Sequence, residues 1–327
     1  IVEQIYHMMY IKLLSLLFAL LQVTRVRASN GDRSSIYQNC YYSCEFQKCS
    51  TESSIRSFKE NQSILESLLW ECQDECKYDC MWDTVYVFAN KSLHVPQFYG
   101  KWPFIRIGGI QEPASTIFSL FNLLSHSVML KKYWLKARTT SPYFWLWTMS
   151  ALISMNAWLW STIFHTRDTV FTELMDYLCA FSMVLFNLLA LLIRSQGTRS
   201  KWEINLVYCG MAATLFLYHS YYLTVIKFDY GYNMKMNITV GALNSVGWLG
   251  WSLKHYKSQR YVWRCAATIL LLAASMSLEL IDFPPLFWTL DAHALWHLAT
   301  SPLPFLWYRF IIDDTHYLEK YDYGKST

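Results

Sequence analysis

The sequence has little charge for its length. Asp, Glu, Lys and Arg make up only 16% of its 327 residues, and 54% of the residues are hydrophobic. Because about 25% charge is usual in a soluble domain, this excludes an ordinary soluble protein and predicts segments that lie in lipid. The 8 Pro and 11 Gly are too few for a collagen-like or low-complexity chain. A scattered net charge of +4 does not indicate a nucleic-acid partner.

The first 28 residues have the features of a targeting segment. Lys12 precedes a short apolar run over 13–21, and Val26-Arg27-Ala28 offers small residues at the positions that a signal peptidase reads. We therefore predict a signal peptide over 1–28 that is cleaved after Ala28. The alternative, an uncleaved anchor, is less favoured because the run is about half as long as the ~20 residues of a membrane span.

Residues 29–111 are polar and rich in cysteine, and we predict that they form a small lumenal domain. An even number of cysteines in an exported segment favours disulfides, and their i, i+4 spacing places them on helix faces. In an antiparallel helical hairpin, the numbers of two residues that face each other always add up to about the same sum. This rule predicts nested bridges. The predicted pairs are Cys40–Cys80, Cys44–Cys76 and Cys49–Cys72. A zinc site formed by these thiols is the alternative.

Two sequons lie in the same segment. Asn61 begins Asn-Gln-Ser and Asn90 begins Asn-Lys-Ser. Both are candidate glycosylation sites, because sequons of exported domains meet the modifying enzyme in the lumen.

Residues 112–311 contain apolar stretches that are each near the length of a membrane span. The fold class predicted is an all-α membrane protein, a seven-transmembrane helix bundle preceded by the disulfide-rich, helical lumenal domain. Residues 312–327 are predicted to be a cytosolic tail. The predicted spans are 112–130, 143–165, 169–193, 203–226, 237–253, 262–280 and 285–311.

The basic residues between the spans predict the orientation. The links after spans one, three and five carry eleven Lys and Arg, whereas the opposite links carry three. Basic links lie on the cytosolic side of most membrane proteins. The Cys-rich domain is therefore predicted to be lumenal and the C-terminus cytosolic, in agreement with the signal peptide and the disulfides.

A few polar residues inside the spans are candidates for chemistry, because ionisable groups at membrane depth are costly. Ser161 and His165 share one helix face, as do His293 and His297, and Asp176 lies about level with Ser161. Three imidazoles with an open fourth position are typical of a catalytic zinc site. The alternative is that each histidine is only hydrogen-bonded to a neighbour.

Other polar residues of the spans give weaker signals. His126 and His219 lack an acidic or histidine partner at helical spacing. Near the lumenal surface, Glu279, Asp282 and Asp291 could orient a ligand or hold a metal-binding histidine.

The pattern of these residues resembles a known superfamily. Ser161-x-x-x-His165, Asp176 and His293-x-x-x-His297 resemble the signature of the CREST superfamily of seven-span metal-dependent hydrolases, which includes the alkaline ceramidases. Three stretches are more specific, over 72–82, 97–104 and 164–168. They resemble the post-GPI-attachment-to-proteins factor 3 family over essentially the whole mature chain.

The resemblance implies a Golgi membrane enzyme that remodels GPI anchors, with the endoplasmic reticulum as a second possible location. Such an enzyme is a phospholipase A2 that removes the sn-2 acyl chain from the phosphatidylinositol of GPI-anchored proteins. In this sequence His165, His293 and His297 would hold zinc. Asp176 would accept the proton of the attacking water, and Ser161 would stabilise the oxyanion or position that water.

Two other functions stay open at this point. A lipid amidase acting on ceramide would use the same residues on a different substrate. A seven-span receptor or sorting factor for GPI-anchored proteins would need the lumenal cysteines but not the histidines.

Overall fold

The computed structural model describes residues 29–60, 62–198, 201–279 and 281–322. The predicted signal peptide, its cleavage after Ala28 and the sequon at Asn61 lie outside these residues. Regular structure in the described part is helical, with isolated β-bridges only at turns. The all-α class is therefore confirmed for this part of the chain.

The Cys-rich segment folds as a helical hairpin with two short helices between its arms. The arms are α1 (Ser35–Lys48) and α4 (Cys72–Asn90), and the short helices are α2 (Glu52–Glu60) and α3 (Ile64–Leu69). Ser34 begins the first arm as an N-cap whose hydroxyl accepts a hydrogen bond from the Tyr37 backbone. Asn90 is exposed at the end of the second arm, where its side chain is accessible.

Three disulfides join the two arms. Their Cα–Cα distances are 5.6 Å for Cys40–Cys80, 5.7 Å for Cys44–Cys76 and 5.8 Å for Cys49–Cys72. These are the nested pairs that the sequence predicts. The remaining cysteines, Cys179, Cys209 and Cys265, are free thiols in the helical bundle.

The bundle follows from Pro113 onward. Only the segments Val170–Gln196 and Arg260–Glu279 are long and apolar enough, by length and composition, to count as candidate spans among the described residues. The apolar helices support membrane-protein character, and the number of seven spans stays a prediction. The helices are α5 (Pro113–Lys136), α6 (Phe144–Thr166), α7 (Val170–Gln196), α8 (Trp202–Tyr221), α9 (Tyr230–His255), α10 (Trp263–Glu279), α11 (Ala292–Thr300) and α12 (Leu303–Asp322).

The last predicted span, 285–311, is not one helix. Residues 281–291 form a loop that is closed by a hydrogen bond from Leu286 N to Leu290 O, and α11 begins only at Ala292. A second break separates α11 from α12 at Pro302, because proline has no N–H to continue the helix. His293 therefore lies in the first turn of a helix and not several turns into a span. Helix α12 also continues past 311, the predicted boundary of the tail.

Helix packing gathers polar groups at one end of the bundle. Helix α5 packs against α6, α11 and α12, and α10 packs against α9, α11 and α12. The main apolar core lies at the end away from the Cys-rich domain, with Trp147, Trp248 and Phe310 each at most 1% exposed. At the other end the last turn of α6 meets the first turn of α11, and the candidate site lies there.

Candidate metal centre

The three predicted histidines meet between α6 and α11. The Nε2 atom of His293 lies 3.3 Å from that of His165 and 2.8 Å from that of His297. One ring nitrogen from each residue lies within 4.8 Å of the other two. The i, i+4 spacing places His293 and His297 on one face of α11, and the packing of α11 on α5 brings that face to His165.

The outer nitrogen of each ring has a partner. Nδ1 of His165 lies 2.7 Å from Glu112 Oε2, and Nδ1 of His293 lies 2.8 Å from Glu279 Oε2. Nδ1 of His297 lies 3.2 Å from the Ser119 hydroxyl. Because a carboxylate accepts, the first two rings carry their proton on Nδ1. Their Nε2 lone pairs therefore point at the centre.

This donor set fits a zinc-type ion. Imidazole nitrogens bind zinc at about 2.0–2.1 Å, so nitrogens that share one ion lie roughly 3–3.5 Å apart. The Nε2 separations around His293 lie close to that range. Metal-binding histidines also donate their other N–H to a carboxylate, a carbonyl or water, as two of these rings do. Three imidazole nitrogens would leave the fourth position of a tetrahedral zinc ion for a further ligand.

Burial differs among the three rings. The side chain of His165 is 3% exposed, whereas that of His293 is 33% exposed. His297 is buried against the rings of Trp158 and Trp296, whose centroids lie 5.3 and 4.9 Å from its own. The centre is therefore open on the side of His293.

Asp176 and Ser161 lie around the triad. Asp176 projects from the second turn of α7, is partly exposed and is near enough to interact electrostatically with His293. Its carboxylate makes no hydrogen bond to another described residue. Ser161 is buried one turn before His165, and its hydroxyl lies 3.1 Å from the Ser119 hydroxyl. Ser119 thus links Ser161 to His297.

Two residues that hold the histidines, Glu112 and Ser119, are not predicted from the sequence. Glu112 lies at the edge of a predicted span, where a charge is ordinary, and Ser119 has no histidine at helical spacing. The only sequence feature that marks Glu112 is its acidic side chain directly before an apolar run.

The other acidic candidates, Glu279, Asp282 and Asp291, have separate roles. Glu279 orients His293, which is one of the roles that the sequence leaves open for it. Asp291 caps α11 by accepting the Ala294 N–H at 2.8 Å, and Asp282 accepts the Trp102 indole N–H at 2.6 Å. His126 and His219 lie outside the triad. Nδ1 of His126 is 3.2 Å from the Tyr308 hydroxyl, and His219 stacks on Phe181.

Comparison with known proteins places the chain in a family. The model of the Per1-like family matches residues 62–315, which include every residue of the centre described above. The chain belongs to the Per1-like family. This Per1-like chain is 42% identical over 293 residues to the GPI-specific phospholipase A2-like PGAP3 of Homo sapiens, covering 89% of this chain and 91% of that protein.

Other relatives of this Per1-like chain have similar identity. The GPI-specific phospholipase A2-like PGAP3 of Danio rerio is 43% identical over 293 residues, with 89% of this chain and 92% of the relative covered. Post-GPI attachment to proteins factor 3 of Drosophila melanogaster is 42% identical over 298 residues, with 88% and 90% covered. No solved structure matches the chain.

Proposed function

We propose that the chain is a metal-dependent lipid hydrolase that remodels GPI anchors. Its reaction is hydrolysis of the sn-2 acyl ester in the phosphatidylinositol of GPI-anchored proteins, which is the action of a phospholipase A2. The names of the mammalian and fish relatives support the substrate class. The convergence of three histidine Nε2 atoms on one point supports the chemistry.

That convergence is the observation on which the proposal depends. Without a shared cation, the Nε2 lone pairs of His165 and His293, which lie 3.3 Å apart, would repel each other. Glu112 and Glu279 fix the tautomers that direct the lone pairs inward, so the protein itself creates the repulsion. Such an arrangement favours binding of one cation, and zinc is the ion that three histidines with an open position most often hold.

The reaction adds water across the ester and gives a free fatty acid and a lyso-lipid. A metal ion held by His165, His293 and His297 would polarise the ester carbonyl and lower the pKa of the attacking water. Asp176 accepts the proton of that water and returns it to the sn-2 oxygen as the acyl bond breaks. Its carboxylate, which makes no hydrogen bond to another described residue and interacts electrostatically with His293, is suited to this exchange.

Ser161 has a supporting role in the proposal. Its hydroxyl lies next to the last turn of α6, one turn from His165, and contacts Ser119. A hydroxyl there can donate to the oxygen on which negative charge develops, or hold the attacking water.

The proposal includes a location. A centre between the helix ends on the side of the Cys-rich domain suits an acyl ester, since this bond lies near the boundary of head groups and chains. In the proposed topology of seven spans this side is lumenal, in the Golgi or the endoplasmic reticulum. The partners are then the GPI-anchored proteins themselves, with their lipid in the lumenal leaflet.

The test uses the full chain purified in lipid nanodiscs. Metal content is measured for the parent protein, for His297→Ala and for a control, His94→Ala, which changes an exposed histidine of the Cys-rich domain. Release of fatty acid is then followed from a GPI-anchored protein and, separately, from ceramide. We expect one ion per chain in the parent and the control, none in His297→Ala, and release only from the GPI substrate.

Each other result contradicts part of the proposal. Fatty acid released from ceramide instead would favour the amidase. Absence of metal, together with GPI remodelling that persists in His297→Ala but fails when the cysteines are replaced, would favour a receptor or sorting factor.

A further inference from the structure

We propose that Lys101 of the Cys-rich domain is a positioning residue of the metal centre, which holds Glu112 in place and through it His165. The lumenal domain is then part of the hydrolase site and not a separate module. This inference rests on the metal-dependent function proposed above and adds to it a residue outside the helical bundle.

The contacts form one chain from the lumenal domain to the metal-binding ring. Lys101 Nζ lies 3.1 Å from Glu112 Oε1, and the other oxygen of the same carboxylate lies 2.7 Å from His165 Nδ1. Both oxygens of Glu112 are therefore occupied, one by the lysine and one by the histidine. A carboxylate held at both oxygens has one orientation, and His165 takes its orientation from it.

Lys101 also joins two segments of the bundle. Its Nζ lies 2.7 Å from Asp168 Oδ2, in the turn between α6 and α7, and 4.2 Å from the centroid of the Phe164 ring. Glu112 and Asp168 are 6% and 22% exposed. Without the lysine, two poorly solvated carboxylates would lie close together with no cation between them.

The charge of the lysine is secure in this setting. Burial disfavours its ammonium form, but the carboxylates of Glu112 and Asp168 outweigh that effect and raise the pKa of Lys101 above its usual value. The residue is therefore cationic at the pH of any lumenal compartment.

A tight turn directs Lys101 into the bundle. Phe98 and Lys101 pair through two backbone hydrogen bonds of 2.7 and 2.9 Å. Between them Tyr99 and Gly100 have φ values of 51° and 83°, and a positive φ at the second position favours glycine. The turn is held to the start of the lumenal domain by the Gly31 N–H, which donates to Gln97 O at 2.8 Å.

The rest of the domain interface explains how the turn keeps its position. Arg167, in the turn after α6, donates to Leu69 O at 2.7 Å and to Asp74 Oδ2 at 2.6 Å. Its guanidinium lies over the Trp70 ring at 4.1 Å, and that of Arg106 lies over the same ring at 3.2 Å. These contacts dock the Cys-rich domain independently of Lys101, so loss of the lysine alone should not detach it.

A double-mutant cycle tests the role. The apparent zinc affinity of metal-free full-length protein is measured by competition with a chelator for Lys101→Met, Lys101→Arg, Glu112→Gln and the Lys101→Met, Glu112→Gln pair. Lys48→Met is the control, since Lys48 also pairs with a carboxylate of the lumenal domain but is 53% exposed. Thermal unfolding verifies that each variant is folded.

We expect Lys101→Met to weaken zinc binding by roughly 10-fold or more, with Lys101→Arg recovering most of the loss and Lys48→Met unchanged. In the Glu112→Gln background, Lys101→Met should have little further effect, because its target is already altered. An equal loss in both backgrounds, or no loss in a folded Lys101→Met protein, would overturn the role of Lys101 while leaving the metal centre intact. A parent protein that binds no metal would overturn both proposals.

Discussion

Glu112 and His165 contact each other twice. The Glu112 N–H donates to the His165 carbonyl oxygen at 3.0 Å, and the Glu112 carboxylate lies 2.7 Å from His165 Nδ1. The first contact joins the start of α5 to the end of α6 through their backbones. The second fixes the ring, so one residue determines both the approach of the helices and the direction of Nε2.

We expect Glu112→Gln to weaken metal binding by roughly 10–100-fold, because the charged acceptor of the Nδ1 proton is lost while the backbone contact remains. Ser119→Ala should have a smaller effect on His297, since hydrogen bonds to neutral groups are weaker than those to charged ones. Zinc competition titrations measure both.

Glu203→Gln is the matched control for Glu112→Gln, as Glu203 is exposed in the first turn of α8. Equal zinc affinities for Glu112→Gln and Glu203→Gln would show that the carboxylate of Glu112 does not hold the metal-binding ring.

The histidines could be found from the sequence because helical spacing alone places His293 and His297 on one face. Glu112 and Ser119 could not, since their positions depend on how α5 crosses α6 and α11. That crossing is a tertiary feature with no periodicity in the chain. For the same reason Lys101, which belongs to a turn of another domain, carries no local signal of its contact with Glu112.

Cysteine spacing predicts the Cys-rich hairpin correctly, whereas hydropathy fails to predict a break in the helical bundle. The register of the hairpin follows from cysteine spacing, and the three bridges agree with it. The break before α11 was missed because hydropathy over 285–311 stays apolar, and hydropathy does not register the prolines or the capping carboxylate of Asp291. That break is what allows α11 to present two histidines from its first turns.

The position of Asp176 leads to a prediction that separates proton transfer from metal binding. Because Asp176 is outside the group of metal-binding nitrogens, Asp176→Asn should keep its metal and lose about 10²–10⁴-fold in turnover. Metal content and fatty-acid release are measured on the same preparation. Loss of the metal from Asp176→Asn would instead make this residue a ligand, and full turnover would remove it from the reaction.

The central disulfide should stabilise the Cys-rich hairpin. Replacing Cys44 and Cys76 together by Ser removes a bridge between residues 32 apart, and we expect a loss of about 2–5 kcal/mol in the unfolding free energy of that domain. Proteolysis of the Cys-rich segment and thermal unfolding detect the change. Cys209→Ser, at an exposed free thiol of α8, is the control and should leave both measurements unaltered. Resistance to protease equal to that of the control would mean that the other two bridges are sufficient.

A buried ion pair far from the metal centre should affect stability alone. Arg194 donates to both oxygens of Asp314 at 2.7 Å, and the two side chains are 5% and 0% exposed. Arg194 is 18 residues after Asp176 on α7, which is about 27 Å along a helix. Asp314→Asn leaves a buried guanidinium without its counter-charge, and we expect about 3–5 kcal/mol of destabilisation with unchanged zinc affinity.

The neighbouring Asp313→Asn, which breaks a more exposed pair with Arg264, should cost at most about 1 kcal/mol. Chemical unfolding in nanodiscs and zinc titration of both variants make the comparison, and a drop in zinc affinity in Asp314→Asn would show that the two ends of the bundle are coupled.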